Sequence, residues 1–405
     1  MVIFKREEKM GIMEKNFKET MHNLSGKFSP REYQERFERL QILMAAKSID
    51  AIIVTNHQNV NYFGGITSIL AGIPGGYGNV RPLIIILPRG GDPTVLVQFT
   101  DYGNAAANSW IEDIRSWVSL PFDTSLLESV LREKGLENLR IGMEFSRELH
   151  LGMPYADFQQ LKYNLPEAQF IDAADLIWQL RMTKSAGEIE RIREAAQISA
   201  RSLRENLPLV EEGMTEREIS RTIAQGLLRH GADKFNYVSA LAGNGSYDRF
   251  CQLPTDRKVK KGELVWCDLS AIYRDYCSDM SSFTVVGGPT DDHKRYADLA
   301  RTIHMKALAY MRPGLRARDV MTFIRKAYED SGFKYNFDIG RCGHGIGLEL
   351  AEQPSIDAGS DIVLQPGMTI AFEPAILTDS GVFNMEEDVL ITEDGCEVLA
   401  EMWPR

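Results

Sequence analysis

The stretch V-W-C-D-L-S-A-I-Y-R-D-Y-C-S-D-M-S-S, Val265 to Ser282, reads as two strands joined by a tight connection. Val265, Trp266, Leu269, Ile272 and Tyr273 supply the β-branched, aromatic and apolar content of buried strands. Two acids, Asp268 and Asp279, interrupt that pattern. Pairing the strands symmetrically about Tyr273 and Arg274 sets Asp268 opposite Asp279. Like charges opposite one another destabilise a sheet, and burying them costs more unless something pairs with them. A hard cation is the usual partner, because carboxylate oxygens suit such ions.

The same device recurs near the C-terminus. Thr369 to Phe372 with Glu373 forms one strand, and Glu387 with Val389 to Ile391 the next. Centring this hairpin near Ser380 and Gly381 sets Glu373 opposite Glu387. Between the hairpins lies G-H-G-I-G, which presents an accessible His344. Any one of these residues alone reads as well as a turn, edge or solvated residue. Together they make a five-ligand set whose four carboxylates two divalent ions balance, the arithmetic of a two-metal site.

The segments D-L-S-A-I-Y-R-D-Y-C-S-D (Asp268 to Asp279), G-H-G-I-G-L-E (Gly343 to Glu349), P-G-M-T-I-A-F-E-P (Pro366 to Pro374) and E-D-V-L-I-T-E-D-G (Glu387 to Gly395) resemble those of one family. It comprises the "pita-bread" metallohydrolases: prolidase, aminopeptidase P, methionine aminopeptidase and creatinase. The likeness runs from about Lys184 to Leu399, and a weaker one to prolidase-type N-terminal domains covers about Phe28 to Leu180. The resemblance implies an α/β (α+β) chain, a creatinase-like N-terminal α/β domain followed by a pita-bread catalytic domain. It implies that Asp268 chelates one metal, that Asp279 and Glu387 bridge both, and that His344 and Glu373 complete the second. Glu373 is also a catalytic candidate. Glu387 rather than Glu386 is taken as the match, because it directly precedes Asp388 in an E-D pattern. Glycines 343, 345 and 347 are read as letting backbone approach the ions. Oxygen-rich ligation favours manganese, iron or cobalt, with zinc an alternative. Such an ion pair makes water acidic enough to attack a carbonyl near neutral pH.

Two further histidines of the proline-specific members are replaced, by Cys251 and Ala351. Ser282 and Met385 stand where that resemblance places arginines. Candidates for the displaced proton work are Tyr247, Asp248, Cys251 and Glu352, and candidates for binding substrate are Arg249 and Arg341. Three functions stay open: a metal-dependent hydrolase of a small amide such as an Xaa-Pro bond, a non-peptidase relative, and a binding protein that lost its chemistry. Creatinase, ectoine hydrolase and dimethylsulfoniopropionate lyase exemplify the second.

Composition narrows the rest. A formal charge of −11 and a pI near 5.3 argue against nucleic acid as a partner. No apolar stretch is long enough to span a membrane, and the first residues lack a signal peptide's apolar region. Five cysteines, an odd number, fit a reducing cytoplasm. The expected divisions are an extension over 1–27, an N-terminal domain over 28–182 and a catalytic domain over 183–405. In the former domain, strands near 50–55, 83–87, 94–99 and 139–144 alternate with helices. A Gly-rich stretch, Ile66 to Val80, reads as a connection, or as a loop that completes a partner subunit's site. On that reading the protein is a homodimer acting on a dipeptide or another small molecule.

Overall fold

The computed structural model describes residues 26–69, 81–146, 148–243, 252–333, 335 and 340–402. The N-terminal extension up to residue 25 and most of the Gly-rich stretch therefore lie outside the described residues. The chain divides into two compact units, one ending at Leu180 and the other beginning at Arg181.

The first unit is built on β1 (Ala51–Val54), β2 (Ile84–Pro88), β3 (Thr94–Gln98), β4 (Asp113–Trp117), β5 (Arg140–Met143) and β6 (Gln169–Asp172), ordered β4-β3-β2-β1-β5-β6. The β1, β2 and β3 residues are buried throughout, which explains near-continuous apolar runs such as Ile-Ile-Ile-Leu rather than alternation. Helix Pro30–Lys47 starts where the sequence signals it. Ser29 caps the Glu32 amide and proline occupies the first turn.

The second unit repeats one plan twice: a helix pair, then a sheet. Helices Ala186–Asn206 and Glu216–Arg229 each open on a capping box, Ser185 with Glu188 and Thr215 with Glu218. The sheet that follows holds β7 (Lys234–Ala242), β8 (Leu264–Tyr273) and β10 (Met280–Val285), with β9 (Tyr276–Cys277) paired to β8. Helices Asp291–Tyr310 and Ala317–Asp330 come next. The second sheet is ordered β12-β11-β13-β16-β17, from β11 (Arg341–Gly345), β12 (Glu352–Asp357), β13 (Thr369–Phe372), β16 (Glu387–Ile391) and β17 (Cys396–Val398). Hairpin β14 (Ala375–Thr378) and β15 (Gly381–Asn384) lies between β13 and β16. One apolar core joins both halves, with Trp266 from β8, Ile324 and Tyr328 from the last helix, and Phe372 from β13. The isolated bridge between Ser281 and Glu386 ties the two sheets at their acidic ends.

Candidate metal centre

The first hairpin turns at Arg274 and Asp275, both left-handed with φ of 47° and 73°. Its register pairs Tyr273 with Tyr276, Ile272 with Cys277, Leu269 with Met280 and Asp268 with Ser281. Asp268 is therefore opposite Ser281, two residues from the pairing expected with Asp279. A strand's side chains alternate with a period of two, so this shift leaves both acids on one face. The Tyr237 hydroxyl on β7 confirms it, lying 2.8 Å from Oδ1 of Asp268 and 2.8 Å from Oδ1 of Asp279. The Asp279 amide leaves the ladder and donates to the Asp388 carboxylate at 3.1 and 3.2 Å.

The second hairpin differs from expectation by one residue. Phe372 pairs with Glu387, Ala375 with Asn384 and Thr378 with Gly381. A one-residue shift exchanges the faces. Glu387 consequently points away from the centre, with Oε2 3.1 Å from His304 Nε2 and Oε1 accepting the Met402 amide at 2.9 Å. Its place in the centre is taken by Glu386, so the expected assignment of Glu387 is corrected.

His344, on β11, pairs with Ala371 of β13 on one side and Ser355 of β12 on the other. It is buried rather than accessible. Its Nδ1 lies 2.9 Å from the Gly345 carbonyl. A carbonyl only accepts, so Nδ1 carries a proton, and in the neutral ring Nε2 is the lone-pair nitrogen that faces the acids. Nε2 is 3.4 Å from Asp279 Oδ2 and 4.0 Å from Glu373 Oε1. Packing by itself requires the motif glycines. A Cβ at Gly345 would stand 2.2 Å from the Gln353 carbonyl, and one at Gly347 would stand 2.8 Å from the Glu352 carboxylate.

Asp268, Asp279, His344, Glu373 and Glu386 line one cavity of about 370 Å³. Single ligand atoms of Asp279, His344 and Glu386 all lie within 4.8 Å of one another. Burial, then the charge of Asp279, pushes Asp268 and Glu386 well above the usual carboxylate range; the Tyr237 hydrogen bond opposes this at Asp268. Glu373 is raised to about 7 in all, by burial first, with protonated His344 opposing, Asp279 adding to the rise and Arg341 opposing it. Burial works against a charged His344, yet the hydrogen bond and charge of Asp279 hold its pKa above the ordinary value. Carboxylates that hinder one another's ionisation in a dry site lose that penalty when divalent ions sit among them. Four carboxylates with one free imidazole nitrogen are the donor set such hard or borderline ions take.

Residues 190–393 match the profile of metallopeptidase family M24, and residues 36–183 match the creatinase/prolidase N-terminal domain. The chain belongs to metallopeptidase family M24. It is 30% identical over 369 residues to the Xaa-Pro dipeptidase of Pyrococcus furiosus, covering 91% of this chain and 98% of that protein. It is 26% identical to the Xaa-Pro dipeptidase of Lactobacillus delbrueckii subsp. lactis, over 88% of this chain and 94% of the relative. The prolidase structure from Pyrococcus horikoshii OT3 superposes with a TM-score of 0.77 at 25% identity, covering 92% of this chain and 99% of that one. The protein is thus a metallohydrolase of the Xaa-Pro peptidase family, with the mixed α/β, two-part architecture the sequence resembles. The comparisons favour this over the creatinase-like and lyase-like alternatives.

Within the M24 frame the remaining candidates separate. Tyr247, Asp248, Arg249 and Cys251 lie outside the described residues. Arg341 and Ala351 both line the cavity. Glu352 does not belong to the proton work. Its carboxylate meets Arg181 and accepts from Lys184 Nζ at 3.0 Å and from the Glu349 amide at 3.2 Å. Burial alone would raise its pKa, but the charges and hydrogen bonds of Arg181 and Lys184 hold it at about 2. A proton carrier for neutral solution needs a value near 7. The side-chain amide of Asn384 is buried, and neither its Nδ2 nor its Oδ1 has a hydrogen-bond partner among the described residues. The residue sequence reasoning missed is Tyr237. It sits in an unmarked apolar run, and only strand pairing brings it beside both aspartates.

Proposed function

We propose that the protein is a dinuclear Xaa-Pro dipeptidase, in which Asp268, Asp279, His344, Glu373 and Glu386 hold two divalent ions, manganese, iron or cobalt before zinc. The observation that carries this is the convergence of those side chains in one cavity with Arg341, beside an apolar wall of Val238, Leu253, Pro254, Leu350 and Ala351. When bound, the ions supply an acidified water and polarise the scissile carbonyl. The chain's own residues do the rest. Arg341 receives the free carboxylate of a dipeptide, a charge-assisted contact that an internal peptide bond cannot offer. The apolar wall takes the pyrrolidine ring. Tyr237 keeps its proton, since burial and then both aspartates raise its pKa well above the ordinary value. It orients Asp268 and Asp279 through that hydroxyl. In the reaction, water oxygen bonds to the carbonyl carbon, the C–N bond breaks, and the nitrogen leaves with a proton. On this reading Glu373 would take the proton that the attacking water gives up and pass it to the leaving nitrogen.

The test is hydrolysis of Xaa-Pro dipeptides by the chelated and the Mn²⁺-reconstituted chain, with elemental analysis of the latter. We expect cleavage only in the reconstituted protein, close to two ions per chain, and much weaker cleavage of C-terminally amidated dipeptides. Reconstituted protein that cleaves no Xaa-Pro dipeptide overturns the reading. We also propose a homodimer, which sedimentation at about twice the chain mass would support.

A further inference from the structure

Glu386 and Glu387 are neighbours that face opposite ways, and what lies behind the centre bears on what lies in it. Glu387 is buried, as are His304 and Met402. One carboxylate oxygen of Glu387 is 3.1 Å from His304 Nε2 and the other accepts the Met402 amide at 2.9 Å. His304 stands in the C-terminal half of helix Asp291–Tyr310, its ring centroid 5.2 Å from that of Phe372, the ladder partner of Glu387. Its Nδ1 is buried with no hydrogen-bond partner among the described residues. A carboxylate and an imidazole in such a core carry a desolvation penalty that two apolar side chains would not. The pair is therefore not the cheapest way to fill this space.

Its position suggests another use. The Glu386 peptide is pinned in front by its bridge to Ser281. Behind, the next residue is gripped at both carboxylate oxygens, by the helix and by the C-terminal segment. Turning the Glu386 backbone moves its carboxylate, and a ligand needs placing to within about 0.5 Å.

We propose that His304 and Glu387 are positioning residues for the metal centre, holding the strand start so that Glu386 presents its carboxylate in the orientation an ion requires. They touch neither ion nor substrate. The inference rests on the proposed function insofar as Glu386 is a ligand. Partners that orient a ligand from outside typically change metal affinity by about 10- to 100-fold when removed.

The experiment uses Mn²⁺ alone, titrated calorimetrically into the full-length chelated chain, with the Tm of the metal-free protein measured beside it. The variants are Glu387→Gln, which keeps the shape, and His304→Phe with Glu387→Leu, which fills the space with apolar groups. We expect the double variant to keep or raise the metal-free Tm while its Kd for Mn²⁺ rises about 10-fold or more, and the isosteric variant to show a smaller rise. A merely structural pair would move Tm and leave the Kd alone. If the double variant fails to fold, the isosteric one decides by the same criterion. Unchanged Kd in the folded variants, with a wild type that binds, overturns this inference only. A wild type that binds no Mn²⁺ overturns the proposed function and this inference with it.

Discussion

The two acidic hairpins of the catalytic unit make a controlled comparison. In each, the sequence alone suggests a pairing that brings two carboxylates face to face. In the first the true pairing lies two residues away, in the second one residue away. The larger error did no harm, because it kept Asp268 and Asp279 on one face. The smaller one exchanged Glu387 for Glu386. In a β-hairpin the parity of a register error matters more than its size.

The sharpest way to break that comparison is to neutralise the two neighbours separately. Glu386→Gln removes a proposed ligand and should lower kcat/KM for a dipeptide by about 10³-fold or more, since an ion clamp and its acidified water supply several kcal/mol. Glu387→Gln should cost far less, through positioning alone. If Glu387→Gln proves the more damaging in the same kinetic assay, the register of the second hairpin is wrong.

A second comparison sets the acids of the centre against Glu352, which is equally buried but fully paired. Glu352→Gln takes the carboxylate from Lys184 and leaves Arg181 paired with Glu349 alone, and should destabilise the fold by about 3 kcal/mol, measurable by urea unfolding at neutral pH. The same carboxylate has its pKa lowered to about 2. Its contribution is thus complete above the unfolded value near 4.5, and it fades as the pH falls toward 2. The difference in stability between wild type and Glu352→Gln should shrink over that acidic window. A difference that instead stays flat from pH 6 to pH 2 would show that the ion pairs are not its source.

Much of this was legible, for identifiable reasons. Capping boxes are local, so the helices after Ser185 and Thr215 begin where their side chains say. Asp268, Asp279, His344 and Glu373 sit in motifs whose residue types already fit a cation. What escaped was set by pairing at a distance. Glu386 against Glu387 hangs on the hairpin between Thr378 and Gly381, and Tyr237 becomes relevant only because β7 lies beside β8. Glu352 reads from sequence as a proton carrier because the cations that hold it, Arg181 and Lys184, lie about 170 residues earlier.

Tyr237 allows a smaller effect to be measured. Tyr237→Phe removes one hydroxyl between two acids and leaves the ring. A hydrogen bond to a charged group is worth about 1.5–3 kcal/mol, so kcat/KM should fall about 10- to 100-fold. The loss should accompany weaker Mn²⁺ binding rather than a changed KM alone. Full activity in Tyr237→Phe would show that the two aspartates need no such tie.

The smallest effect concerns the turn that sets the first register. Arg274 and Asp275 both adopt left-handed backbone, the conformation of a two-residue hairpin loop that glycine and asparagine favour. Neither residue advertises that turn, which is why symmetry of the acids was the only guide to pairing. Left-handed backbone costs an ordinary residue about 1–2 kcal/mol, and aspartate less. The Arg274 guanidinium also packs over the Tyr273 ring at 5.4 Å, a contact that replacement gives up. Arg274→Asn with Asp275→Gly should therefore gain only about 0.5–1 kcal/mol and raise Tm by a few degrees. Because the preferred loop enforces the register already present, kcat/KM should stay within twofold of wild type. A stabilised variant that lost Mn²⁺ binding would mean that the new turn had shifted β9 and β10 along β8. Asp279 would then have moved relative to Asp268, and the native pairing would owe its register to the ligands rather than to the turn.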